Sequence, residues 1–223
     1  MSRQDTSQAV MKAAFPVLDG FGFAAPARTL DAKRVLDVAL SLGLMLLLLP
    51  VLALLSLAIV LDSRGPLLFR QRRTGLNGRT FGILKFRSMH VMEDGAEVIQ
   101  ATEHDIRITR AGRIIRKLSL DELPQLLNVI AGDMSLVGPR PHAVAHDNYY
   151  GAAIANYTLR QKVKPGITGW AQVNGARGAT PTLDIMRRRV DFDAWYVAHA
   201  SLALDLKILV RTPLEVLRSR NAL

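Results

Sequence analysis

Hydrophobic and polar positions divide the 223-residue chain into three unequal parts. From Met1 to about Leu30 polar residues mix with Gly and Pro and no hydrophobic period is sustained, which predicts a poorly ordered arm over residues 1–30. Gln4, Asp5, Gln8, Lys12 and Asp19 interrupt any apolar run there, so the stretch does not read as a signal peptide, whose core is about 7–15 apolar residues. From Val38 to Leu61 no charged residue occurs, and Leu44-Met45-Leu46-Leu47-Leu48-Leu49 is too apolar for a helix surface in water. A straight helix of that length reaches roughly 36 Å at about 1.5 Å per residue, enough for a hydrocarbon core of about 30 Å. Pro50 near its middle removes a backbone hydrogen bond and predicts a kink, with Ser41 and Ser56 close enough to serve the freed backbone groups. Lys33 and Arg34 precede the run and Arg64, Arg70, Arg72 and Arg73 follow it, whereas a spanning helix concentrates its positive charge on one side. Two topologies therefore fit residues 31–62: a kinked span, or a helix that enters, breaks at Pro50 and leaves by the same face.

Residues 63–223 have the pattern of a folded domain at the membrane face. A strand-like Leu67–Arg70, a turn marked by Gly75, Asn77 and Gly78, and a second strand over Phe81–Met89 predict a β-hairpin. Period-two alternation puts Lys85 and Arg87 on one face of that strand, a pair suited to phosphate and equally ordinary on a solvated edge. Met92 to about Glu103 has helical composition. Leu202–Val210 is apolar but contains Asp205 and Lys207, and Arg211, Arg218 and Arg220 follow; this fits a helix lying in a membrane interface, with a core helix as the alternative.

Charge and composition narrow the chemistry. A formal charge of +10 calls for an anionic partner: nucleic acid, anionic lipid or a phosphorylated substrate. The absence of cysteine excludes disulfides, a thiolate nucleophile and Cys-ligated zinc. An aromatic content of 6% speaks against base-stacking nucleic-acid folds, so no nucleic-acid partner is expected.

The densest chemistry lies in Ser119-Leu120-Asp121-Glu122-Leu123-Pro124-Gln125-Leu126-Leu127-Asn128-Val129-Ile130. Ser119 and Glu122 have capping-box spacing at a predicted helix start, although Pro124 makes a start nearer Asp121 equally good. Adjacent helical residues diverge by about 100°, so Asp121 and Glu122 do not form a dyad sharing one proton. A carboxylate at a helix N-terminus is expected to stay ionised and needs no general base to be a nucleophile, while its neighbour is free to hold a cation. Magnesium suits such a pair, being bound through one or two carboxylates plus substrate phosphates. Further on, Arg140 stands between Pro139 and Pro141, whose fixed φ angles stiffen its placement for bidentate phosphate contacts.

Together with Lys85-Phe86-Arg87-Ser88-Met89 before it and Lys164-Pro165-Gly166-Ile167-Thr168-Gly169-Trp170 after it, the string from Ser119 to Pro141 resembles the bacterial sugar transferases, the monotopic phosphoglycosyl transferases. The likeness runs from about Lys33 to near Thr212 and is strongest to the catalytic part of enzymes that start exopolysaccharide or colanic-acid-type repeat units. The resemblance implies that Asp121 attacks the β-phosphorus of a UDP-sugar, releases UMP and carries a phosphosugar that undecaprenyl phosphate then takes. It implies Glu122, with Asp121, at a Mg2+ site, and Lys85, Arg87 and Arg140 handling phosphates. Gln172, Asn174 and Arg177 match a segment near the nucleotide-sugar site. Asp193 and Tyr196 match a motif to which the sequence assigns no role. The segment Gly175–Arg189 leans towards glucose, with galactose next.

The resemblance also implies a re-entrant helix with Pro50 at its break, although Leu49 stands where the family's usual polar partner of that proline would be. The expected fold is α+β and mostly helical: a flexible arm (1–30), a re-entrant membrane helix (31–62), and a catalytic domain (63–223) with a small β-hairpin and interfacial amphipathic helices. The expected setting is the cytosolic face of the bacterial inner membrane, with anionic lipids as further partners and a homodimer compatible with all of this. Trp170 is read as a buried aromatic before a uracil platform, and His142 and His146, four apart, lack a third metal ligand. The competing reading is a membrane-tethered basic module that binds nucleotides or proteins without catalysis; it leaves the acidic pair among phosphate-binding cations without a purpose.

Overall fold

A chain whose most apolar segment carries Lys33, Arg34 and Asp37 at its start must place those charges somewhere, and their partners set the architecture. The structure, a computed structural model, describes residues 27–90 and 105–218; most of the expected arm and the helical reading of Met92–Glu103 lie outside them. Helix α1 (Ala27–Leu47) begins a few residues before the expected boundary, and α2 (Leu49–Asp62) follows after a break at Leu48 (φ −89°, ψ 2°). The two arms, Ala32–Leu47 and Leu49–Asp62, are bent by 64°. Pro50 falls in the first turn of α2, where its missing N–H leaves no helical bond unmade. The bend is therefore centred two residues before the proline. Ser56 donates to Leu52 O at 2.7 Å, whereas the Ser41 hydroxyl is buried without a partner among the described residues.

Both ends of this bent pair meet the same domain. Lys33 Nζ donates to Val137 O (3.1 Å) and to Asp205 (2.5 Å), Arg34 donates to Val129 O and Ile130 O at the C-terminus of α4 (Gln125–Ala131), and Asp37 accepts from Leu136 N at 3.0 Å. At the far end Ile59 is buried with Phe86 and Ile115, and Asp62 accepts from Ala111 N at 2.9 Å. Among the described residues no single helix is long and apolar enough to cross a membrane; the bent pair reaches that length and composition only together.

The expected hairpin is present: β1 (Leu68–Thr74) pairs antiparallel with β2 (Thr80–Phe86) in the register Leu68↔Phe86, and Asn77 and Gly78 turn the chain at positive φ. Helix α3 (Arg110–Lys117) is capped by the Thr109 side chain, which accepts from Gly112 N at 2.9 Å. A 3-10 turn (Leu120–Glu122) leads into α4, and Asn128 ties α4 to β2 by accepting from Leu84 N (2.9 Å) and donating to Gly82 O (2.8 Å). The short strands β3 (Ser135–Val137) and β4 (Gly166–Thr168) are parallel, a second sheet that the hydrophobic pattern does not reveal. Gly138 and Gly166 permit it, since a Cβ on either would collide with the backbone opposite.

Helix α5 (Val144–Ala153), a 3-10 segment (Tyr157–Lys162), α6 (Trp170–Val173), α7 (Leu183–His199) and α8 (Leu202–Arg218) complete the domain. The main core gathers Ile83, Leu126, Val129, Met134, Leu136, Val137, Val173, Tyr196 and Ile208. Helix α8 packs on the core through the buried Ile208 and Asp205, while Leu202, Leu206, Val210 and Leu214 form an exposed stripe at four-residue spacing.

Candidate active site

The acidic pair sits where the 3-10 turn meets β2. Ser119 adopts a left-handed conformation (φ 55°) and caps nothing with its side chain; its Oγ accepts from Arg177 Nη2 at 2.6 Å instead. The expected capping box and helix N-terminus at Asp121 are thus corrected: α4 starts only at Gln125, because Pro124 takes its N-cap position. Around a 3-10 turn, with about three residues per turn, neighbours point still further apart than on an α-helix. Glu122 faces β2 and the Pro-Arg-Pro loop. Its Oε1 accepts from Lys85 Nζ (2.8 Å) and from Arg140 Nη2, and its Oε2 accepts from Arg140 Nη1 (2.9 Å). No hydrogen bond to the Asp121 carboxylate is present among the described residues, though Asp121 is 6% exposed.

These environments pull the two acids in opposite directions. Burial raises the Asp121 carboxyl, and Lys85 only partly offsets it. Burial would raise Glu122 too, but Arg140 and Lys85 outweigh it and hold Glu122 well below the usual carboxylate range. Burial lowers Lys85 against the pull of Glu122, while Glu122 raises Arg140 further. The expected helix N-terminus at Asp121 is therefore corrected, and burial, not a helix dipole, sets the direction in which its carboxyl shifts. Asp121 is the more basic of the pair, a property that favours nucleophilic attack once it is ionised.

Asp121 and Glu122 line a cavity of about 740 Å³. One part of its wall is apolar, contributed by Leu40 and Leu44 of α1, Leu48 at the break, and Leu209 and Pro213 of α8. Another is polar and includes Gln71, Arg73, Thr180 and Arg189. Of the sequence-predicted residues, Lys85, Arg140, Gln172 and Arg177 all reach this cavity. Gln172 donates to Ile167 O at 3.1 Å, and Arg177 joins Ser119 to Glu215 O (3.2 Å). Arg87 is placed elsewhere. It lies just beyond β2 and donates to Ser63 O at 2.5 Å, binding the C-terminal end of α2, so period-two alternation does not bring it beside Lys85 at the acids.

Sequence reasoning missed Arg116, which lines the cavity from α3 and lowers Asp121 electrostatically; five residues before Asp121 in a basic stretch, it carried no distinguishing signal. It also missed Arg189, lowered to about 10 by burial, which donates to Ala176 O and Gly178 O. Trp170 stacks on Trp195 (4.7 Å between centroids) and is not among the cavity-lining residues. His142 lies before α5, turned towards Tyr157 and Arg160, so its spacing from His146 does not give two ligands on one helix face. Among the described residues no cluster of three or more acids or histidines suits a metal.

A buried acid without a hydrogen bond, beside a second acid clamped by two cations in a cavity part apolar and part cationic, is the arrangement of an enzyme that handles phosphates next to an apolar substrate. Residues 28–219 match the family described as bacterial sugar transferase, and the chain belongs to that family. It is 56% identical over 190 residues to a UDP-glucose:undecaprenyl-phosphate glucose-1-phosphate transferase of Caulobacter vibrioides, covering 85% of this chain and 71% of that one. A protein of the same name from Escherichia coli is 52% identical over 180 residues, 81% of this chain and 39% of its own length. An exopolysaccharide production protein of Rhizobium leguminosarum is 43% identical over 184 residues, 81% of this chain and 92% of that protein. The chain thus spans about two-fifths of the Escherichia coli relative.

Proposed function

We propose that this protein transfers glucose 1-phosphate from UDP-glucose to undecaprenyl phosphate, with Asp121 as the covalent nucleophile, and so starts an exopolysaccharide-type glycan. The observation that carries this reading is the Asp121 carboxylate, buried in the cavity, unbonded and raised in basicity, beside Glu122 held by Lys85 and Arg140. An Asp121 oxygen attacks the β-phosphorus and the bond from that phosphorus to the bridging oxygen breaks, so UMP leaves with the electron pair. A glucosyl phosphate remains on Asp121. A phosphate oxygen of undecaprenyl phosphate then attacks the same phosphorus, forming the lipid diphosphate sugar and freeing the carboxylate. Arg140, Lys85 and Arg177 stand where they can bind the diphosphate and balance charge on its oxygens.

Mg2+ fits this donor set in one way. Both Glu122 oxygens already pair with cations, and Asp121 is next to it in the chain, so the protein would supply one or two carboxylates and the diphosphate the rest of the shell. Glu122 and Asp121 would hold the ion, which would offset charge on the diphosphate. The setting we infer is the cytosolic face of the bacterial inner membrane, with α1 and α2 dipping into one leaflet. Support comes from Leu46, Leu47, Leu49, Leu54, Leu57, Val60 and Leu61, all exposed on the bent pair, since burying each such side chain is worth about 1.5–3 kcal/mol. The exposed stripe of α8 would lie in the same interface, among anionic lipids.

The test is to incubate membranes carrying the protein with UDP-glucose labelled in the β-phosphate. Wild type should retain label on the protein, lose it on adding undecaprenyl phosphate, and fail to acquire it in excess chelator. Asp121→Asn should acquire none and lose at least about 10³-fold in lipid-linked product. Transfer by Asp121→Asn would overturn the covalent step, labelling in excess chelator would remove magnesium, and stronger labelling by another UDP-sugar would replace glucose.

A further inference from the structure

Arg140 stands in a loop with unusual backbone constraints. Pro139 and Pro141 have no N–H to donate, so the loop is held largely through its carbonyl oxygens. Each of the three consecutive carbonyls has a donor from a different element. Pro139 O accepts from Gly166 N of β4 (2.9 Å), Arg140 O accepts from Arg160 Nη2, and Pro141 O accepts from Arg73 Nη1 of β1 (3.2 Å). Arg160 therefore holds the middle residue, the one whose guanidinium grips Glu122.

Arg160 is itself fixed. Its side chain is 4% exposed and its Nη2 lies 2.9 Å from an oxygen of Asp193, 2% exposed on α7, to which Nε also donates at 3.1 Å. Its Nη1 donates to Tyr157 OH (3.2 Å), and that hydroxyl donates to Asp147 at 2.6 Å. His142 is packed against the same guanidinium, and burial together with Arg160 keeps its pKa well below the ordinary value, so it adds no second charge. Burying a guanidinium is costly, and these partners offset the cost only in the one geometry that satisfies them, so Arg160 is held rigidly.

We propose that Arg160, anchored by Asp193, is a positioning residue for phosphoryl transfer: it fixes the Arg140 backbone so that the Arg140 guanidinium stays on Glu122 and on the diphosphate. This gives Asp193 the role that its sequence does not disclose. It rests on the transferase reading of the site. A long Arg side chain has many rotamers, so a loosened backbone lets its head group wander, and a misplacement of about 1 Å costs on the order of 10²-fold in rate.

The experiment measures UMP release from UDP-glucose by the full chain in membranes, for Arg160→Lys, Asp193→Asn and Arg140→Met, and for each of the first two combined with Arg140→Met. Arg160→Lys and Asp193→Asn should each lower kcat about 10- to 100-fold with KM for UDP-glucose changed less than about 3-fold. In the Arg140→Met background neither change should cost more than about 3-fold further. Equal losses in both backgrounds, or losses in which KM rises as far as kcat falls, would overturn the proposal and leave Arg160 a purely structural residue. Thermal inactivation of each variant, followed in parallel, reports on folding: a loss of activity that tracks loss of folded protein counts against positioning. A wild type that releases no UMP would instead sink the transferase reading itself.

Discussion

At the residue scale, burial with and without partners separates the roles of two adjacent acids. Glu122 is surrounded by donors and is stable only as a carboxylate, whereas Asp121 carries a desolvation cost that nothing fully repays. A carboxyl raised in the folded state costs stability at neutral pH, and the cost disappears as pH falls from the folded pKa through the unfolded one near 3.8. Asp121→Asn should therefore be more resistant to thermal inactivation than wild type at pH 7, with the gain shrinking towards pH 4. An equal or lower resistance at pH 7 would mean that Lys85 and Arg116 compensate Asp121 fully. The same shift predicts that label uptake from UDP-glucose falls on acidification at a higher pH than an ordinary aspartate would set. Adjacency sufficed to rule out a shared-proton dyad, because any helical geometry separates neighbours. Which acid is clamped was not legible, since Lys85 and Arg140 arrive from 37 and 18 residues away.

At the element scale the apolar helix is bent by 64°, and each of its ends is fastened to the same domain by buried contacts. A kinked span would carry its ends to opposite faces of a bilayer about 30 Å thick. The chain has no cysteine, so a single introduced thiol reports its own position. In intact cells, Ala32→Cys and Asn77→Cys, both exposed, should resist a membrane-impermeant thiol reagent added outside and react after permeabilisation. Labelling of Ala32→Cys alone from outside would restore the span. Pro50 pointed to a break, and the proline sits in the first turn after it; the break itself lies at Leu48, where sequence shows only another leucine.

At the scale of the whole molecule, a net charge of +10 accompanies an exposed apolar surface on α1, α2 and α8. In the setting proposed above, charge would attract the protein to an anionic leaflet and apolar burial would retain it there, and the two respond differently to salt, which screens beyond about 8–10 Å at physiological strength. Salt at 1 M should therefore leave the protein in the membrane pellet, while detergent releases it. Reconstituted activity should rise several-fold as anionic lipid replaces neutral lipid, and the rise should flatten in high salt. Full release by salt alone would show that the apolar surface does not enter the bilayer.

What the sequence determined by itself was whatever local pattern controls: the charge-free run and its proline, the hairpin, a mostly helical domain, and the adjacency of Asp121 and Glu122. Those features depend on hydrophobic period, turn chemistry and residue type, which neighbouring positions carry; that Lys85, Arg140, Gln172 and Arg177 share a site with the acids was implied only by the family resemblance. Tertiary structure alone decided that Ser119 serves Arg177 rather than a helix cap and that Arg87 holds the end of α2. It alone decided that Arg116 reaches the cavity and that Asp193 acts on Arg140 through Arg160. Each of these depends on which distant backbone group or charge a long side chain meets after folding, and a guanidinium with five donors can meet many.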